Sequence, residues 1–310
     1  MSEVADGDRH AWGYVVNMTT PDAERADYHV HCHLDGCAAK DMTLAAIYAA
    51  AVAAGLREIC VVKHYSHELP NGADAWVHWK RTPSEAFDAY LEEFRDTSRP
   101  AGLRVLSGVE TELLSAAGDI NIPAAQAARL DMVLVSNHWL PEAPGLSRAW
   151  LPLLGAGRLP AHLPPAELGP WLEALQQTGP EPYVRAVCDG NANAVRRHPK
   201  VRVLAHLDDG LHVLRAFRVP VDELADDRLL EFAAPVMAAC VAQGALWELC
   251  PYLPRRTHIV REANRRGVRF TATVDAHFLA NPAWGYSLAQ HAAAEDTIHR
   301  LGLTRGGVST

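Results

Sequence analysis

Seven short apolar runs in this sequence each carry, at or near the carboxyl end, a residue that binds metal ions well. Their length and continuous apolar character are typical of strands buried on both faces. In a β/α barrel the carboxyl ends of the parallel strands meet at one mouth, where active sites are built. The runs are DYHVH (27–31), EICVVKH (58–64), RVLSGVE (104–110), DMVLVSNH (131–138), VRVLAH (201–206), ALWELC (245–250) and RFTATVDAH (269–277).

Helical patterns separate these runs. Leu44, Ile47, Tyr48 and Ala51 recur at the spacing of one helix face, and further helices are predicted over 184–197, over 229–243 and from Thr257 to Gly267. Alternating strands and helices indicate parallel strands covered by helices. The sequence therefore predicts an α/β protein, a single irregular (β/α)7 barrel with one strand fewer than the common eight.

The barrel domain is expected to span 27–310, after an N-terminal extension over 1–26. Residues 139–182 interrupt the alternation, because they are rich in Pro, Gly, Leu and Trp and have weak periodicity. They are interpreted as a long insertion after the fourth strand. Long loops on the carboxyl-end face commonly act as lids or set specificity.

The predicted ligands are too numerous for one metal ion. Side chains two residues apart on a strand point the same way, so His29 and His31 aim together, and Asp275 and His277 are expected to do the same. A catalytic zinc takes about three protein ligands, so two or three ions are predicted, with Glu110 as a bridge between them. Imidazole and carboxylate suit divalent zinc, manganese or iron. The ligand set is His29, His31, His64, Glu110, His138, His206, Asp275 and His277.

Composition narrows the class of partner. The chain has 310 residues, of which 49% are hydrophobic and 21% charged, and a formal net charge of -8. This acidic balance argues against nucleic acid as the main partner, because backbone binders carry a basic stripe. No signal sequence and no membrane span are recognised, so a cytoplasmic protein with a small-molecule partner is expected, and a homo-oligomer is left open. The six cysteines are interpreted as free thiols, and five remaining histidines are predicted to be solvated: His10, His162, His198, His291 and His299.

The motifs resemble those of one family. The series DYHVHCHLDG, VVKH, GVETEL, VLVSNHW, VLAHLD and TVDAHF is similar to the PHP (polymerase and histidinol phosphatase) superfamily, in the family's order over about 27–280. The segments VSNHW and AHLDD are most similar to its histidinol-phosphatase-like branch. The resemblance implies a distorted seven-stranded barrel that holds up to three metal ions.

The resemblance also implies how the ligands divide. One ion would be held by His29, His31, Glu110 and Asp275. Glu110 would share a second ion with His138 and His206. A third ion would be held with the help of His64 and His277.

Three positions depart from the family pattern. A histidine or acidic residue is usual shortly after the first histidine pair, and here that place falls near Asp35 or Cys37, the latter eight residues after His29. Both are therefore candidates for additional ligands, and the third ion is expected to be bound by thiolate, weakly bound or absent. Lys63 stands where the family has an aspartate, and ELC replaces EIN around Glu248. Together these changes suggest a substrate or reaction outside the histidine pathway.

Hydrolysis of a small phosphomonoester is the reaction that this set of groups favours, by attack of a metal-bridging hydroxide. The expected catalytic residues are His206, Asp208 and Asp275, with His206 or Asp208 supplying the proton to the leaving oxygen. Cations that follow strand ends suit phosphate. The predicted substrate-binding residues are Arg255, Arg256, Lys63 and Trp139.

Other hydrolases have similar sequence patterns. A hydrolase of C–N bonds also clusters His and Asp on a barrel, although it normally favours a carboxylated lysine. An iron-dependent redox variant is a further alternative, since thiols lie near the predicted site. A phosphodiesterase or exonuclease is the third, against which the acidic charge counts.

Overall fold

The computed structural model describes most of the chain. The described residues are 25–65, 86–138, 165–207, 214–215, 217–251, 254, 256–280 and 287–308. The predicted extension therefore lies almost wholly outside them, as do 139–164 of the predicted insertion. The described residues nevertheless include all seven predicted strands.

The seven strands are all parallel and lie in sequence order, each hydrogen-bonded to the next. This is the predicted (β/α)7 arrangement, and it is confirmed. The strands are β1 (Ala26–His31), β2 (Glu58–Val62), β3 (Arg104–Glu112), β4 (Met132–Ser136), β5 (Val201–Leu204), β6 (Leu246–Leu249) and β7 (Arg269–Ala272).

Helices connect the strands, as the spacing of apolar residues predicts. Each predicted helix forms and extends two or three residues beyond the predicted range, except that the helix from Thr257 ends at Arg265. The described α-helices are α1 (Leu44–Ala53), α2 (Ala86–Asp96), α3 (Ala124–Ala127), α4 (Pro165–Thr178), α5 (Glu181–Arg197), α6 (Asp226–Gln243), α7 (Thr257–Arg265) and α8 (His291–Leu301). Helix α4 lies inside the predicted insertion.

The barrel closes between its first and last strands at one place. Beyond the end of β7, Ala276 forms a parallel bridge with Val30. The amide of His31 donates to the carbonyl of Ala276 at 2.8 Å, and the amide of Ala276 donates to the carbonyl of His29 at 2.9 Å. Strand β1 is thus hydrogen-bonded, beside the predicted ligands, to the segment that follows β7.

Two cores lie on the two faces of the sheet. The barrel interior is filled by alternate strand residues, among them Cys60, Val62, Met132 and Leu246, and the larger core lies between the sheet and the helices. The last described residues close the amino end of the barrel, where the amide of Val308 donates to the hydroxyl of Tyr28 at 3.1 Å. Burial on both faces explains why the strands are apolar throughout.

Two sequence predictions are wrong. The last strand ends at Ala272, so Asp275 and His277 do not lie on a strand as predicted. Asp275 has a left-handed backbone (φ 48°), which interrupts the extended chain at this point. His291 is 1% exposed and not solvated; its Nε2 lies 2.9 Å from the carbonyl oxygen of Ala26.

None of the six cysteines forms a disulfide. Within the described residues, no helix combines the length and the apolar character that crossing a bilayer requires.

Candidate metal centre

The structure brings the eight predicted ligands together at the carboxyl-end mouth of the barrel. Glu110 lies within β3, and the others lie at the ends of strands or just beyond them. Seven are buried, and the side chain of His277 is 17% exposed. Every predicted ligand except His277 belongs to at least one of four overlapping groups of potential donors, in which the donor atoms lie within 4.8 Å of one another. The groups are His31, Asp35, Cys37 and His64; His29, His31, Glu110 and Asp275; His29, His206 and Glu248; and His64, Glu110 and His138.

The first group contains two imidazoles and two carboxylates. Nε2 of His29 and Nε2 of His31 are 3.1 Å apart. Oε2 of Glu110 lies 3.2 Å from each of these nitrogens. Oδ1 of Asp275 lies 3.3 Å from the first and 3.2 Å from the second. Four potential ligand atoms therefore converge on one point.

Hydrogen bonds fix which ring nitrogen faces this point. Nδ1 of His29 lies 2.7 Å from Glu248, and Nδ1 of His31 lies 2.8 Å from Asp35. Because an ionised carboxylate only accepts hydrogen bonds, each Nδ1 carries the hydrogen, which makes Nε2 the natural metal-binding atom.

The first group fits a cation. With both Nε2 atoms as acceptors, its four converging atoms all carry lone pairs and would repel one another without positive charge between them. Oδ1 of Asp275 is also buried with no hydrogen-bond partner in the described part of the chain. The pKa of His29 also indicates that positive charge is favoured here. Burial lowers this pKa, but the neighbouring carboxylates, Glu248 foremost, raise it to about 10.

The other oxygen of Glu110 lies near two further imidazoles, and we call these three residues the second group. Oε1 of Glu110 lies 2.9 Å from Nε2 of His206 and 3.6 Å from Nε2 of His138. Nδ1 of His138 is held by Glu112 at 2.8 Å, so this imidazole is oriented in the same way as those of the first group. One carboxylate with an oxygen in each group has the geometry of a bridge between two ions.

A third group lies beside the first. It consists of His31, Asp35, Cys37 and His64. Sγ of Cys37 is 4.0 Å from Nδ1 of His31, and Asp35 accepts the amide hydrogen of His64 at 2.6 Å. His277 stacks on His31, with ring centroids 4.2 Å apart, and thus stands next to this group.

Two residues of the site have a left-handed backbone although neither is glycine. The φ angle is 28° at His206 and 48° at Asp275. Such conformations cost of order 1–3 kcal/mol each and occur most often at functional sites. The chain accepts this cost at the two positions where the segments after β5 and β7 turn a predicted ligand into the mouth.

Two of the predicted substrate-binding cations, Lys63 and Arg256, make hydrogen bonds within the protein. Lys63 is completely buried, and its Nζ donates to the backbone carbonyls of His64 and Tyr65. Arg256 donates to Asp226 and to the carbonyls of Leu224 and Val221. In this conformation both cations are engaged by the protein itself. Three predicted site residues lie outside the described part of the chain: Asp208, Arg255 and Trp139.

Two carboxylates of the site are absent from the sequence-based ligand set. Glu112 stands two residues after Glu110 on the same strand, so period-two alternation could have placed it on the ligand face. The sequence does not indicate a role for Glu248, because its contact with His29 joins residues that are far apart in the chain.

Comparison with known proteins supports the fold. No protein-family model matches the sequence, and no curated protein is detectably similar to it. Among solved structures, the chain resembles histidinol phosphate phosphatase from Lactococcus lactis in complex with zinc, L-histidinol and phosphate. The two share 15% identity and a TM-score of 0.52, over 91% of this chain and 95% of that one.

A second solved structure is a candidate histidinol phosphatase from Listeria monocytogenes. It shares 13% identity and a TM-score of 0.56, over 84% of this chain and 98% of that one. At such identities the likeness concerns the fold. The chain therefore has the PHP-type (β/α)7 barrel fold of these histidinol phosphatase structures.

Proposed function

We propose that this protein is a metal-dependent phosphatase that releases phosphate from a small phosphomonoester. The observation that carries the proposal is the convergence of buried imidazoles and carboxylates on two adjacent points joined by Glu110. The zinc, L-histidinol and phosphate in the similar Lactococcus lactis structure support the same reaction class.

We assign the ligands as follows, and the contacts of the two oxygens of Glu110 support the assignment. His29, His31, Glu110 and Asp275 would hold one divalent ion, and Glu110, His138 and His206 a second. His64, with Cys37 or His277, would help to hold a third. Zinc, manganese and iron all suit these donors. When bound, such ions would lower the pKa of a coordinated water towards neutrality. They would also neutralise negative charge on the phosphate oxygens.

The residues divide the remaining work. Nε2 of His206 lies 2.9 Å from Glu110, so this imidazole serves best as a ligand. Asp208 is then our candidate for the residue that donates a proton to the leaving oxygen. Asp275 places a buried carboxylate oxygen among the ligands of the first ion. For phosphate binding, Arg255 is favoured over Arg256, whose guanidinium is already bound by protein acceptors.

The described geometry does not favour a C–N hydrolase that uses a carboxylated lysine. Such a site needs a lysine amine among the metal-binding atoms. Lys63 is the lysine that neighbours a ligand here, and its Nζ is directed to two backbone carbonyls.

The test is phosphate release by purified protein, stripped of metal and reloaded with zinc, manganese or iron. The panel contains phosphomonoesters, phosphodiesters and unphosphorylated amides. His138→Ala should abolish phosphate release without unfolding the protein, whereas His299→Ala, at an exposed residue of α8, should not affect it.

Absence of phosphate release from every phosphomonoester, with metal content verified, would refute the proposal. Turnover of phosphodiesters alone would indicate a phosphodiesterase. Turnover of an unphosphorylated compound with bound iron would indicate the redox variant.

A further inference from the structure

Glu248, on β6, is a buried carboxylate that contacts two of the proposed metal-binding groups. Its side chain is 0% exposed. Its two oxygens face different partners, one from the first strand of the chain and one from the segment after the fifth. Neither of these two partners lies near it in sequence, whereas a third, Cys250, lies two residues further along the chain.

The first contact orients an imidazole. Oε2 of Glu248 lies 2.7 Å from Nδ1 of His29. This bond keeps the hydrogen on Nδ1 and leaves Nε2 to face His31, Glu110 and Asp275. If the hydrogen moved to Nε2, His29 could not bind a metal ion through that atom.

The second contact supports a strained turn. Oε1 of Glu248 accepts the backbone N–H of His206 at 3.3 Å and the thiol of Cys250 at 3.4 Å. His206 is one of the two site residues with a left-handed backbone. That conformation brings its Nε2 to 2.9 Å from Oε1 of Glu110, in the second group.

We propose that Glu248 is a positioning residue that couples the two ion sites, by fixing the tautomer of His29 in the first and the backbone of His206 in the second. The inference rests on the metal binding in the proposed function, and it does not depend on the substrate. Loss of this carboxylate should therefore weaken both ions together. Mutation of a residue that hydrogen-bonds to a metal ligand and orients it typically lowers metal affinity about tenfold to a hundredfold.

An amide cannot replace Glu248, although it has the same shape. If the amide oxygen faces His29, the NH₂ group opposes the N–H of His206. If the amide is turned round, its NH₂ faces Nδ1 of His29, which must then accept, so the hydrogen moves to Nε2. In either orientation the amide opposes one of the two partners, and the loss of the negative charge weakens the hydrogen bond to the other partner, so both sites are damaged.

Glu112 provides a matched comparison. Its Oε1 lies 2.8 Å from Nδ1 of His138. Its Oε2 is buried and has no hydrogen-bond partner among the residues that the structure describes. An amide at this position keeps the acceptor for His138 and places its NH₂ where no donor opposes it. Glu112→Gln should therefore have a smaller effect, limited to the second ion.

The experiment measures zinc affinity for each site by titration against a competing chelator, and zinc content by elemental analysis. The proteins are the wild type, Glu248→Gln, Glu112→Gln and Glu58→Gln. Glu58 accepts from Tyr28 at the amino end of the barrel and serves as a control. Thermal unfolding of the metal-free proteins reports any general loss of stability.

The expected result is a tenfold to hundredfold loss of affinity at both sites in Glu248→Gln, a smaller loss at the second site in Glu112→Gln and wild-type affinities in Glu58→Gln. Wild-type affinity in Glu248→Gln would overturn the inference. So would loss of one ion alone, which would make Glu248 an ordinary ligand.

Nitrogen-15 NMR of the zinc-loaded wild type gives an independent measurement if Glu248→Gln does not fold. His29 should retain the hydrogen on Nδ1 and bind through Nε2, and the opposite arrangement would overturn the inference. A wild-type protein that binds no divalent ion would refute the proposed function as well. Ion binding without phosphatase activity would leave the role of Glu248 standing.

Discussion

Oε1 of Glu110 is 2.9 Å from Nε2 of His206. The other oxygen of the same carboxylate lies among the imidazoles of the first group, so a single side chain near the carboxyl end of β3 takes part in both. This makes Glu110 the residue on which the proposed two-ion arrangement depends most.

Glu110→Gln should reduce metal content and activity more than any other single carboxylate change. Glutamine lacks the negative charge of glutamate. In either orientation its NH₂ group, which does not bind a metal ion, replaces an oxygen in one of the two groups. The loss of affinity should exceed the roughly hundredfold typical of residues that only support a ligand. Elemental analysis after dialysis and phosphate release measure the two effects. Retention of two tightly bound ions would contradict the bridging role.

Cys37→Ser tests whether a thiolate holds an additional ion. Burial raises the pKa of the Cys37 thiol, so the thiolate is favoured only with a metal ion beside it. Soft thiolate prefers zinc to manganese, and the variant should lose a third zinc ion while it keeps the other two.

Cobalt substitution provides a spectroscopic measure of the same ligand. The thiolate-to-cobalt absorption band should be present in the wild type and absent in Cys37→Ser. Cys188→Ser changes a thiol on α5 and should leave the band intact. An unchanged spectrum in Cys37→Ser would exclude the thiolate ligand.

His291→Gln should make the free energy of unfolding depend less on pH between pH 6.5 and pH 4. Burial lowers the pKa of His291 from 6.5 to about 4. Between these values the unfolded chain binds a proton that the folded protein does not, so stability is full above pH 6.5 and falls as the pH approaches 4. The upper bound of this loss is about 3 kcal/mol. A glutamine still donates to the carbonyl of Ala26, but it does not titrate.

Denaturant unfolding between pH 8 and pH 4, in the same metal state for both proteins, measures this difference. The wild type should lose more stability than His291→Gln over that range. His299→Gln, at an exposed position, should behave as the wild type does. Parallel curves for the wild type and His291→Gln would disprove the assignment.

Gly190→Ala should destabilise the protein, although alanine is the better helix former. A Cβ at Gly190 would lie 2.7 Å from Cδ2 of Leu113 and 2.7 Å from the carbonyl oxygen of Ser115. Overpacking of this kind costs about 1–3 kcal/mol. Gly169→Ala, in α4 with nothing within 4 Å of the added carbon, should instead stabilise by up to about 1 kcal/mol. Chemical denaturation measures both, and equal shifts would contradict the packing argument.

Most of the barrel could be predicted because its signals are local. Continuous apolar strands, helical periodicity between them and metal-binding residues at strand ends are all visible within short segments. The sequence also predicts that Glu110 bridges two ions, and its two carboxylate oxygens do face different sets of imidazoles.

The details of the site depend on contacts that no short segment shows. The left-handed backbone at His206 and Asp275 could not be predicted, because neither residue is glycine. The contact of Glu248 with His29 joins β6 to β1, and the burial of His291 depends on the packing of α8 against β1. These features follow from which elements become neighbours only after folding.

The bridge between Val30 and Ala276 has a consequence for how the site assembles. The two segments that it joins come from opposite ends of the described chain, and together they carry four of the proposed ligands. Bringing such distant segments together carries a loop-closure cost in entropy. Ions bound there would act as a removable cross-link, much as a disulfide does, and chelation would loosen the barrel first along this seam.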